Sequence, residues 1–135
     1  MKMFSDYIRE DFNFRLGGST NKGVQYSYFP KKKDELEELM KKLRKERSEN
    51  GDFNDIDTSS VTEMNSMFED EERFNQDISC WDTSKVKDMG YMFYHAEKFN
   101  QDISRWDTSS VTDIDIIATF KKCPIKEEYK PKFKI

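Results

Sequence analysis

Residues 74–89 read FNQDISCWDTSKVKDM, and residues 99–114 read FNQDISRWDTSSVTDI. The second phrase starts 25 residues after the first, and that period decides the fold. Set in register, it aligns Ile56, Trp81 and Trp106; Asp57, Asp82 and Asp107; and Val61, Val86 and Val111. Met64, Met89 and Ile114 follow, then Met67, Met92 and Ile117, with Phe68 beside Phe93. A unit this short cannot bury its own apolar side, so successive units must stack on one another.

Within a unit, Val61, Met64 and Phe68 fall at i, i+3 and i+7, which predicts a two-turn helix. FNQDIS predicts a short extended stretch with Phe74 or Phe99 and Ile78 or Ile103 pointing inward. The three DTS runs predict helix starts, where side-chain oxygens satisfy amides left free. Ser60 and Glu63 have the spacing of a capping box. Asn75 and Asn100 are expected to face inward and form a ladder on the backbone of adjacent coils. Trp81 and Trp106 are expected to stack.

This register of Phe-Asn, Trp, Asp-Thr-Ser, Val and Met resembles the repeat of bacterial BspA-like leucine-rich-repeat surface proteins. The resemblance covers about residues 28–133, because YFPKKKDELEELM is similar to a helix leading into the first unit. It implies an α/β fold: a short right-handed leucine-rich-repeat-like solenoid of about three strand/short-helix units, capped N-terminally by an amphipathic helix. It also implies protein binding or adhesion, with no catalytic centre. The first unit is shorter than the others, since Phe53 lies 4 residues before Asp57 whereas Phe74 lies 8 before Asp82, and it reads as a capping coil. In the third, Ala118 stands at the aromatic position, and Phe120 with Cys123 fits only if two residues are inserted.

Around the repeat, residues 51–120, the chain divides into a cap or partner-binding segment at 1–33, a capping helix at 34–50 and a terminal segment at 121–135 that covers the last coil with Ile125, Tyr129 and Phe133. Residues 4–16 predict a short helix with Ser5 as N-cap and Phe4, Ile8, Phe12 and Leu16 on one side. VQYSYF at 24–29 predicts a strand closed by Pro30. The next helix is expected to start at Asp34 and end at Asn50 and Gly51, burying Leu36, Leu39, Met40 and Leu43. Glu37 and Glu38 precede Lys41 and Lys42 by four residues, the favourable order for helical charge pairs.

Charge is unevenly distributed. Residues 51–120 carry 5 basic and 16 acidic side chains, a net of −11, while residues 31–50 carry 8 basic and 6 acidic. Phosphates would be repelled by the repeat, so direct nucleic-acid binding is not expected. With 37% charged residues there is no apolar stretch long enough for a membrane span. The opening MKMFSDYIREDFNF interleaves acids with apolar residues and does not read as a secretory signal, so the expected location is cytoplasmic. Cys80 and Cys123, 43 residues apart, read as free thiols.

No catalytic residue, cofactor or metal ligand is expected. His95 is the single histidine and has no acid, nucleophile or ligand beside it in the sequence. DFNDID and DIDI lack the glycine turn and closing glutamate of a calcium loop. Two functional readings stand open. The first is a non-enzymatic protein-interaction module, monomeric or weakly dimeric, with Glu69, Asp70, Glu71, Arg73, Tyr91, Tyr94 and Lys98 exposed and with Tyr7, Phe12, Phe14 and Tyr26 as a second, aromatic candidate patch. The alternative is a phage- or mobile-element-encoded inhibitor whose acidic repeat blocks a basic groove of a host nucleic-acid enzyme or defence protein.

Overall fold

The computed structural model describes residues 25–112 and 116–134, so the helix expected at 4–16 lies outside the described residues. Helix α1, Lys33–Glu46, forms where the apolar residues recur at helical spacing, and Leu36, Leu39, Met40 and Leu43 are all buried. Its N-cap is Lys32 in place of the expected Asp34, which sits inside the first turn. The Glu35 carboxylate accepts the Lys31 amide at 3.0 Å, tying down the chain just before the helix. Asp34 and Glu35 near the start, with Arg44 and Lys45 near the end, match the sign of the helix dipole. The helix stops at Arg47, ahead of Asn50 and Gly51, because Arg47 adopts extended backbone. Its guanidinium bonds both Asp55 oxygens at 2.8 and 2.9 Å and the Asp52 carbonyl at 2.9 Å.

The α/β class expected from the sequence is overturned. Residues 51–112 hold neither a helix nor a strand. Among the described residues there is no sheet, and strand pairing is limited to two isolated parallel bridges, Tyr28 with Ile56 and Glu63 with Asp88. Of the strand expected at 24–29, the described residues 25–29 hold only the bridging residue Tyr28. The remaining helical pieces among the described residues are α2, Ile116–Thr119, and a 3₁₀ turn, Glu127–Tyr129. A leucine-rich-repeat-like solenoid of strand/short-helix units is therefore not what this chain forms.

The hydrogen bonds explain why. The amides of Met64, Ser66, Phe68 and Asp70 donate at 2.8 to 2.9 Å to carbonyls of Asp88, Gly90, Met92 and Tyr94 in the next coil. The alternate amides, of Met67, Glu69 and Glu71, donate to Met64, Ser66 and Phe68 and close successive turns. A helix would keep all these bonds within the segment, and a strand would send them to its neighbours. This backbone divides them, which requires left-handed residues: Ser66, Asp70, Tyr91, His95 and Lys122 have φ between 58 and 61°. The chain of turns still returns inward every third or fourth residue, so Val61, Met64, Met67 and Phe68 are buried although no helix forms.

The DTS runs likewise form turns in place of helix caps. Asp57, Asp82 and Asp107, and equally Asp77 and Asp102 of the FNQDIS stretches, each accept the amide of the residue two positions later at 2.9 to 3.0 Å. Threonine hydroxyls then join coil to coil. Thr58, Thr83 and Thr108 donate to the carbonyls of Asp82, Asp107 and Lys132. Asn75 accepts the Asn100 amide at 2.8 Å and Asn100 accepts the Lys126 amide at 3.0 Å, so a ladder exists, but Asn75 is exposed and the ladder runs along the outside.

Between these polar rows lies one apolar core shared by α1 and the coils. Trp81 and Trp106 stack at 6.5 Å with planes 1° apart, and their indole N–H groups donate to Phe53 and Ile78 carbonyls. Phe68 stacks on Phe74 at 4.1 Å and Phe93 on Phe99 at 4.3 Å. Phe120 continues the row, 5.6 Å from Phe93, so it and not Ala118 fills the aromatic position. The backbone registers the two extra residues: Phe68 donates to Met92, 24 positions ahead, while Phe93 donates to Thr119, 26 ahead. Residues 26–29 lie against the first coil and residues 125–133 against the last, where Ile103 donates to the Tyr129 carbonyl.

Candidate binding surfaces

The left-handed turns place outward side chains in rows 25 residues apart. Asp70 thus stands beside His95, and Arg73 shares a row with Lys98. The first patch is aromatic. Tyr91 is 42% exposed and packs edge-on against half-buried Tyr94, ring centroids 5.5 Å apart. The Lys122 ammonium lies 6.0 Å from the Tyr94 ring. Among the described residues, Tyr91 and Ile117 are the large apolar side chains left exposed.

His95 adjoins this patch. Its Nδ1 lies 2.9 Å from Asp70 and its Nε2 2.8 Å from Glu97. Glu72, His95 and Glu97 present ligand atoms within 4.8 Å of one another, a set able to contact a divalent cation. With each imidazole nitrogen already facing a carboxylate, the ring bridges Asp70 of one coil and Glu97 of the next. Glu97 stands two residues after His95 and was overlooked as a partner in the sequence, whereas Asp70, 25 residues away, is brought to the ring by the repeat register.

The second patch is basic. A groove of about 800 Å³ runs between α1 and the coils, lined by Lys41, Arg44, Lys45, Arg47, Arg73 and Lys98, with Glu49 the one acid among the described residues that line it. Arg44 lies over the Phe74 ring and pairs with Glu71 at 2.8 Å. Arg47 lies over Tyr28 and Phe53, and its hydrogen bonds to Asp55 hold its pKa above the ordinary value. The net of −11 over residues 51–120 conceals this groove. The signal was present in the sequence as Arg73 and Lys98 in one row and as Lys41 and Lys45 one turn apart on the helix.

The expected exposed residues therefore separate. Asp70, Tyr91 and Tyr94 belong to the aromatic side, Arg73 and Lys98 line the basic groove, Glu69 is half-buried, and Glu71 is committed to Arg44. Tyr26 is corrected: it is 5% exposed, packed edge-on against Phe29 at 6.4 Å, and forms no surface patch. Tyr7, Phe12 and Phe14 lie outside the described residues. Cys80 and Cys123 are free thiols, and burial pushes the Cys123 thiol up, which keeps it protonated and a poor nucleophile.

No helix among the described residues is long and apolar enough to cross a membrane. No curated protein and no solved structure matches the chain. A family described as Mycoplasma protein of unknown function, DUF285, matches residues 34–126, a span that begins in α1 and runs through the stacked coils. On that match, more than half of its length, the chain belongs to the DUF285 family.

Proposed function

We propose that this chain is a non-enzymatic protein-binding module whose partner sits on the turn face at Tyr91 and Tyr94. The observation that carries the reading is the exposed Tyr91 ring, held edge-on by Tyr94 and flanked by Asp70, His95 and Lys122 on a backbone bonded to both neighbouring coils. A tyrosine in such a setting offers large contact area with little side-chain freedom left to lose, the character of binding hot spots. The repeat's resemblance to BspA-like surface proteins, which bind other proteins, is in keeping with this. The free thiols Cys80 and Cys123 favour a reducing compartment such as the cytoplasm.

The test replaces Tyr91 with a photo-crosslinking phenylalanine analogue in the native host, with exposed Lys85 as the control position. A defined protein adduct at position 91, absent at position 85 and lost on Tyr94→Ser, is the expected result. Equal labelling at both positions, or no adduct at either, would overturn the assignment.

A further inference from the structure

We infer that the groove between α1 and the coils is a second docking surface, and that its occupant is an extended acidic segment of a protein. Arg44 and Arg47 are already neutralised by Glu71 and Asp55. Lys41, Lys45, Arg73 and Lys98 also line the groove, and none of their charged heads has an ion-pair partner among the described residues. Four like charges thus converge on one concavity, against the carboxylate of Glu49. Bringing them together costs free energy through repulsion, and a bound polyanion would relieve it.

The spacing selects the shape of the ligand. Lys41 and Lys45 are one helical turn apart, about 6 Å along the axis. Arg73 and Lys98 occupy equivalent places in successive coils, beside the Phe74 and Phe99 rings whose centroids are 5.7 Å apart. Acids at alternate positions of an extended peptide recur every ~6.8 Å on one side, which suits both rows. Single-stranded nucleic acid has similar charge spacing but needs rings on which bases can stack. Here the nearby rings Phe53 and Phe74 are buried, and guanidiniums lie over Phe53, Phe74 and Tyr28. A duplex would also have to lie against the acidic repeat.

The experiment is fluorescence anisotropy on the full chain with a labelled twelve-residue peptide alternating Glu and Ser, and with a deoxythymidine oligomer of equal charge. The peptide should bind more tightly than the oligomer, and raising salt from about 50 to about 300 mM should weaken it by about tenfold or more. Lys41→Glu with Lys45→Glu, and separately Arg73→Gln with Lys98→Gln, should each weaken it by about tenfold, with circular dichroism confirming that the variants fold. Tyr91→Ser should leave it unchanged, which separates this surface from the turn face. Oligomer binding as tight as the peptide's, charge variants within twofold of the parent, or no peptide binding would each overturn the inference.

Discussion

At the scale of single residues, stability rests on side chains that are buried and polar at one atom. Trp81 is 2% exposed, and its indole N–H reaches the Phe53 carbonyl at 3.0 Å. Trp81→Ala removes a packed ring and leaves that carbonyl with only the longer bond from the Ile56 amide at 3.3 Å, so we expect a loss of about 3 to 5 kcal/mol by chemical denaturation. A loss below ~1 kcal/mol would contradict the packing. The aspartate turns predict a pH effect of known sign. Burial works against ionised Asp77, but bonds from Ser79 and Asn54 prevail and hold its pKa below the ordinary value. Asp102 and Asp107 are lowered chiefly by Ser104 and Ser109. A carboxylate depressed in the folded state contributes stability above the unfolded pKa of about 3.9, and that contribution disappears as pH falls through the depressed value. The melting temperature should therefore fall as acid is added below about pH 4. The Asp77→Asn, Asp102→Asn, Asp107→Asn triple variant, which keeps an acceptor oxygen at each turn, should show a shallower fall.

Among elements, α1 was legible in the sequence and the coils were not. Leu36, Leu39, Met40 and Leu43 specify a helix by period alone, since no other regular backbone brings those four to one side. Val61, Met64 and Phe68 carry a similar spacing but belong to linked turns, and the deciding factor is where the amides go. Asp57 and Asp82 accept the amides of Ser59 and Ser84 and compete with a helix, a cue that reading DTS only as a helix cap overlooks. The end of α1 was also misplaced, because Arg47 finds its partner in Asp55 eight residues later and leaves the helix early. That junction is testable. Arg47→Lys keeps the charge but loses the paired geometry, and we expect a loss of about 1 to 2 kcal/mol in thermal or denaturant unfolding; Arg47→Ala, which also uncovers Phe53, should lose more.

For the whole molecule, the period is the design rule. The threonine, asparagine, tryptophan and phenylalanine rows all advance by one coil together, so an added coil keeps every row only if it has the right length. Inserting a second copy of residues 76–100 after Asn100 should fold, raise the unfolding free energy and increase the denaturant slope through the larger buried area. The same insertion shortened by one residue puts buried side chains out of row and should fold poorly or not at all. This 25-residue register was readable from the repeated phrase, and it explains both rows of the candidate surfaces. The grouping of charge on them was lost when acids and bases were summed along the chain.

The tryptophan pair gives the chain an optical property of its own. These are its only two indoles, parallel to within 1° and 6.5 Å apart in successive coils. Each ring packs on the other and its N–H is bonded to a buried carbonyl, so the wavelength and intensity of their emission report the contact between those two coils. A ligand that tightens or loosens the stack would be visible without any added dye.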